Sequence, residues 1–158
     1  MIRPARTDEF GILTRISFAS KGYWNYPQEY FDLWQRELTI DTDYIQENDV
    51  FVFESRGKVV AYYSMIHLAK DMEISEIRLA KGFWLEHMFI EPAHIGQGIG
   101  TKMFEHVRRR CKVLGIRLLR ILSDPNSRGF YEKMGCEFLM EFPSNIPNRT
   151  TPYFLLRI

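Results

Sequence analysis

Ile90-Glu91-Pro92-Ala93-His94-Ile95-Gly96-Gln97-Gly98-Ile99-Gly100-Thr101 is a strand end that runs into three alternating glycines and then into a helix. The strand is Phe83 to Ile90, and the helix follows from Ile99, Met103, Val107, Cys111 and Leu114 at helical spacing. Glycines let a backbone turn so that its N–H groups converge on one point. A helix start adds orphan donors and the positive end of the dipole. The combination predicts a cradle for a phosphate or pyrophosphate. Spacing then excludes two nucleotide motifs. A dinucleotide fingerprint needs Gly or Ala where Thr101 stands, and a nucleoside triphosphate loop needs Gly directly before Lys, whereas Gly100 is followed by Thr101-Lys102.

Working outward, Val50–Glu54 and Lys58–Ile66 are β-rich runs joined by Ser55-Arg56-Gly57, a hairpin signal. Upstream, Asp8 is expected to cap a helix through Ala19 on Phe10, Ile12, Leu13 and Ile16. The aromatic loop Ser20 to Pro27 then leads into a second helix through Tyr30, Phe31, Trp34 and Leu38. Downstream, Arg117–Ser123 reads as a strand and Pro125–Met134 as a short helix closed by Gly135. Phe138–Phe142 and Tyr153–Ile158 read as two last strands. The expected class is α/β (α+β), a mixed, largely antiparallel central sheet flanked by helices. Its order is β-α-α-β-β-β-α-β-α-β-β, in one domain over residues 1–158.

Composition narrows the function. The 158 residues carry 21 basic and 20 acidic side chains, so no global field draws in nucleic acid or anionic membrane. No apolar run approaches a membrane span and no signal segment opens the chain, so a cytoplasmic address is expected by default. Cys111 and Cys136 lack metal-ligand or redox spacing and read as buried thiols, and no metal site is expected. The run Arg108-Arg109-Arg110-Cys111-Lys112 reads as a solvated helix end.

The stretch Phe89-Ile90-Glu91-Pro92 with Ile95-Gly96-Gln97-Gly98-Ile99-Gly100 resembles the acetyl-CoA signature of the GNAT acetyltransferases, with Ile95 where that family usually has Arg or Gln. A second block, Asp124-Pro125-Asn126-Ser127-Arg128-Gly129-Phe130-Tyr131, resembles the family's later segment. Ser20 to Tyr26 and Pro143 to Pro152 are similar to those of a subgroup whose acceptors are uncharacterised.

The resemblance implies an acyl-CoA-dependent N-acetyltransferase. Its coenzyme contacts would come from Met88, Phe89, Ile90, Ile95, Gly96, Gln97, Gly98, Ile99, Gly100, Thr101, Asn126, Phe130 and Tyr131. A backbone N–H near Met88 or Phe89 would stabilise the oxyanion, and Tyr131 would give a proton to the departing thiolate. An amine attacks a thioester directly but needs a proton acceptor, because a Lys-type ammonium has a reference pKa near ~10.4. Strand alternation places Trp84, Glu86, Met88 and Ile90 on one face, leaving Glu86 as the one carboxylate among apolar neighbours. Desolvation there would raise its pKa toward a base's range. Glu86 is therefore the candidate base, with a structural carboxylate as the plain alternative and His87 in reserve.

Lys21, Tyr23, Trp24, Tyr26 and Arg149 are the expected acceptor contacts, and the two cations favour a small-molecule or peptide amine that bears an acid group. A homodimer is compatible with this reading. The competing reading is a non-catalytic acyl-CoA-binding or sensing module.

Overall fold

The computed structural model describes residues 1–74 and 76–158. They form β1 (Ile2–Pro4), α1 (Phe10–Gly22), α2 (Gln28–Leu38), α3 (Thr42–Glu47), β2 (Asp49–Ser55), β3 (Lys58–Leu68), β4 (Met72–Ile74), β5 (Ile77–Leu79), β6 (Gly82–Ile90), α4 (Ile99–Leu114), β7 (Leu118–Leu122), α5 (Arg128–Lys133), β8 (Glu137–Pro143) and β9 (Thr150–Arg157). The chain divides into two compact units. One holds Met1–Ser64 with His87–His106, and the other Met65–Glu86 with Val107–Ile158. Strands β3 and β6 and helix α4 each have residues in both.

In the first unit the strand order is β1-β2-β3-β6, and β1 pairs antiparallel with β2 from Ile2–Phe53 to Pro4–Phe51. The β2–β3 hairpin closes on Arg56 and Gly57, with φ of 51° and 74°. Two central residues at positive φ make the turn whose twist matches the flanking strands. Helix α1 begins after a 3-10 turn over Thr7–Glu9, so the cap expected of Asp8 is not made; Asp8 lies inside that turn, exposed. Glu9 takes over the local anchoring. Only 2 % exposed, it accepts from both terminal nitrogens of Arg3 at 2.7 and 3.1 Å and from the Arg6 backbone N–H at 2.8 Å. These partners hold its carboxyl below the usual range, the Arg3 hydrogen bonds most strongly.

Phe10 and Ile12, expected on the buried stripe of α1, are exposed, whereas Leu13 and Ile16 are fully buried. They join Ile40, Ile45, Val50, Val52, Val59 and Tyr62 in the core of this unit. Two hydroxyl pairs thread it, Ser17 with Tyr62 at 2.5 Å and Tyr44 with Ser64 at 2.7 Å. Pairing satisfies polar groups that would otherwise penalise burial.

In the second unit the order is β3-β6-β7-β9-β8. β6 pairs with β7 in parallel over Phe83–Leu119 to Leu85–Ile121, and β6 and β7 are joined through α4. β9 pairs antiparallel with both β7 and β8, and β8 forms the sheet's edge with a register shift between Phe138 and Met140. The short hairpin β4–β5 and the helix α3 add to the expected order. Trp84 packs with Tyr153 and Leu155, its ring 5.6 Å from that of Tyr153. Cys111 and Cys136 are buried thiols, not joined in a disulfide. Among the described residues, no helix is long and apolar enough to cross a membrane.

Candidate active site

β6 ends at Ile90, and the Glu91 N–H donates to the Val60 carbonyl at 2.8 Å. A 3-10 turn, Pro92–His94, lifts the chain off the strand, after which Gly96 and Gly98 adopt φ of 83° and 79°. That is the left-handed region, which side-chain-bearing residues avoid. A Cβ at either glycine would meet no atom within 4 Å, so crowding within the protein does not select glycine here. Backbone direction does. The Gly98 carbonyl accepts from the Lys102 N–H at 3.2 Å, so Gly98 caps α4 and the amides of Ile99, Gly100 and Thr101 belong to its orphan first turn. Ile99 is buried and anchors the turn, while Ile95, Gly96, Gln97 and Gly98 are exposed. The arrangement suits an anionic diphosphate, since exposed N–H groups and a 16-residue helix dipole converge on one place. Ile95 adds no charge to it.

The strand positions behave differently from expectation. Met88, Phe89 and Ile90 are half-buried, as a contact surface requires. Glu86 is exposed, so the apolar surroundings expected of it are not found. Alternation reports which face a residue uses and not what covers that face. The buried titratable neighbour is His87, 3 % exposed, whose ring centre lies 5.9 Å from Tyr44, 6.1 Å from Tyr62 and 5.5 Å from Phe89. Burial, and secondly the charge of Lys21, push its imidazole down to about 3.

A neutral native imidazole has a consequence for stability. The unfolded histidine takes up a proton near its ordinary ~6.5, but the folded one does not until about 3. Stability is therefore complete above about pH 6.5 and falls as pH drops toward 3, by up to about 1.4 kcal/mol per pH unit. Glu9 acts in the same direction but at lower pH, from the ordinary carboxylate range downward, and the comparison with His87→Phe separates the imidazole's share. Urea unfolding at pH 7.5 and pH 5 should differ by about 2 kcal/mol in the wild type and far less in His87→Phe. Equal wild-type stabilities at the two pH values would contradict the buried neutral imidazole.

The acceptor candidates sit at the end of α1 and on α2. Ser20 and Lys21, expected in a loop, extend the helix to Gly22, and Asn25 at φ 57° ends the local turn. The Lys21 ammonium lies 4.7 Å from the Trp34 ring centre and 5.9 Å from that of Tyr26, so these faces already hold a cation of the chain itself. Tyr23 and Trp24 stack edge-on at 4.8 Å and remain 50 % and 38 % exposed. Trp34, on α2, lies closer to Lys21 than Tyr26 does. Its helical spacing from Tyr30 was the available signal.

Elements of the second unit carry the remaining candidates. Asp124 caps a 3-10 turn over Pro125–Ser127, its Oδ1 accepting from the Asn126 N–H at 2.9 Å and from Asn126 Nδ2 at 3.0 Å. Arg149 Nη2 lies 3.7 Å from Asp124 Oδ2, with the two side chains only 13 % and 11 % exposed. The surface cation expected to meet a substrate carboxylate is thus an internal partner of Asp124. Tyr131 is buried on α5, its ring 5.1 Å from Phe130 and 5.8 Å from Phe154. Burial, with smaller contributions from Cys136 and Asp124, holds its phenol well above the usual range. It keeps its proton throughout the neutral range. Gly135, at φ 85°, ends the α5 segment as expected.

Residues 46–136 match the family model described as acetyltransferase (GNAT) domain. A comparison with curated proteins found no match. Among solved structures, the fold is similar to a GCN5-related N-acetyltransferase, aminotransferase class-II, from Rhodopseudomonas palustris. That match has a TM-score of 0.76 at 14 % identity and covers 100 % of this chain and 95 % of that one. PaiA N-acetyltransferase from Thermoplasma acidophilum, solved with coenzyme A, gives a TM-score of 0.75 at 15 % identity, over 100 % of this chain and 98 % of that one. A GNAT family acetyltransferase from Brucella melitensis, solved with acetyl-CoA, gives 0.61 at 19 % identity, over 99 % and 86 %.

Proposed function

The chain belongs to the GNAT acetyltransferase family, and on that premise we propose that it moves the acetyl group of acetyl-CoA onto an amine, the two substrates being bound together. The observation that carries the reading is the pair of left-handed glycines, Gly96 and Gly98, capping a long helix whose first amides suit a pyrophosphate. Solved relatives of this fold that hold coenzyme A or acetyl-CoA support the choice of cosubstrate.

Acetyl-CoA brings an acyl group already activated as a thioester, so the protein's tasks are to bind, orient and manage protons. Residues 95–101 hold the diphosphate through backbone donors. Met88, Phe89 and Ile90 flank the pantetheine, and a backbone N–H among them stabilises the developing oxyanion. Asn126 and Phe130 complete the coenzyme contacts. Tyr131, neutral and buried, donates its hydroxyl proton toward the departing sulfur. The same low-dielectric surroundings raise the basicity of a thiolate, as burial raises the Cys136 thiol to about 11, which narrows the gap between the phenol and the leaving group. Exposed Glu86 takes the amine's proton through water. Tyr23, Trp24, Tyr26 and Lys21 form the acceptor side, where an amine carrying an acid group is the proposed class.

Release of free thiol from acetyl-CoA, measured with a panel of amino acids, peptides and polyamines, tests the reading. Turnover with an amine, with the acetyl group found on nitrogen, is expected. Tight CoA binding with no turnover on any amine would replace the enzyme with a non-catalytic acyl-CoA-binding module.

A further inference from the structure

A cleft of about 420 Å³ lies in the first unit between the chain before α1, α1 itself and the β2–β3 turn, bordered by Arg3, Arg6, Arg15, Lys58, Glu54 and Glu91. Its size is that of a small-molecule site. The lining also includes Glu9, so four cations face three carboxylates and leave one positive charge in excess. The carboxylates are already engaged. Glu9 is held by the Arg3 fork, Glu54 accepts from Arg3 Nε at 3.1 Å, and Glu91 accepts from Arg15 Nη1. Arg15 makes that contact through one nitrogen only and is 59 % exposed, which leaves its Nε and Nη2 hydrogens for another acceptor. Lys58 is exposed, and its ammonium has neither an ion-pair nor a hydrogen-bond partner among the described residues. Ile12, 38 % exposed, supplies an apolar wall.

We propose that this cleft binds a phosphate group, with Lys58 and Arg15 as its charged donors. A cationic ligand would find the carboxylates taken, and a planar monoanion would use only one of the two cations. A tetrahedral dianion has enough oxygens to take N–H groups from a guanidinium edge and an ammonium on separate elements.

The phosphate has two sources, the 3′-phosphate of CoA or a separate phosphorylated small molecule. Glu91, on the cleft wall, stands five positions before Gly96, a chain span of at most about 17 Å. The glycine loop and the cleft are therefore within reach of one nucleotide-sized molecule. The proposal stands apart from acetyl transfer, because binding is measured without an acceptor.

The test is calorimetric titration of the full chain with inorganic phosphate, CoA and 3′-dephospho-CoA, in wild type and Lys58→Met. Lys58 has no partner to lose, so this variant is expected to fold normally, and its thermal melt checks that. If the phosphate is the coenzyme's own, the wild type prefers CoA over the dephospho form by about tenfold or more, and Lys58→Met erases the preference. If it is separate, inorganic phosphate binds the CoA-saturated chain, and Lys58→Met weakens that binding alone by a similar factor. The proposal is overturned if neither Lys58→Met nor Arg15→Gln changes phosphate binding or the CoA to dephospho-CoA ratio.

Discussion

Gly98→Val is expected to yield a folded protein that has lost at least about 10²-fold in CoA affinity, the largest effect of any single change in the cradle. Gly98 sits at φ 79°, where a β-branched residue is strongly disfavoured, and it is the cap of α4. Its side chain would have open space, so nothing forces the core to move. The backbone itself must rotate, and the amides of Ile99 and Gly100 turn with it. A diphosphate would then lose several donors at once, each charge-assisted. Gly11, within α1 and equally uncrowded, provides the control. Gly11→Ala should leave CoA binding unchanged and be neutral or slightly stabilising, because a helical glycine gives up more chain entropy than alanine. Thermal shift with saturating CoA reads both, since a ligand at 100 times its Kd adds about 2.7 kcal/mol. A Gly98→Val protein stabilised by CoA as well as the wild type would sink the cradle.

Tyr131→Phe is expected to lower turnover by about 10²-fold while CoA affinity stays close to that of the wild type. The substitution removes one hydroxyl and keeps the ring, so the contacts with Phe130 and Phe154 survive. The phenol is held protonated by burial, and the defect should therefore be the same at pH 6 and pH 9. That flatness separates a proton donor from a group whose ionisation matters. Rates equal to the wild type across this range would return Tyr131 to a packing role.

Much of the architecture was legible because its signals are local. Ser55-Arg56-Gly57 reads as a turn from its own residue types, and the left-handed Gly96, Gly98 and Gly135 stand where backbone direction must change. Helix α3 and the β4–β5 hairpin escaped because six and three residues are too short for a period to show. The exposure of Glu86 and the burial of His87 turn on what covers each side of β6, which one strand's alternation does not encode. Arg149 looked like a surface cation because its partner, Asp124, is 25 positions away. The cleft with Lys58 is not legible in the sequence for the same reason, its residues coming from three separate stretches, 3–15, 54–59 and position 91.

The shift in β8 bears on how concentrated chains behave toward one another. A seven-residue edge strand with Leu139 and Met140 exposed is the kind of template on which a second chain can add strands and start an aggregate. Here the bulge between Phe138 and Met140 breaks the ladder after two residues. Glu137 and Glu141 place carboxylates on both sides of the break, and Pro143 offers no N–H at the far end. An incoming strand finds no uninterrupted row of donors and acceptors to zip against, so the apolar pair can stay exposed without seeding fibrils.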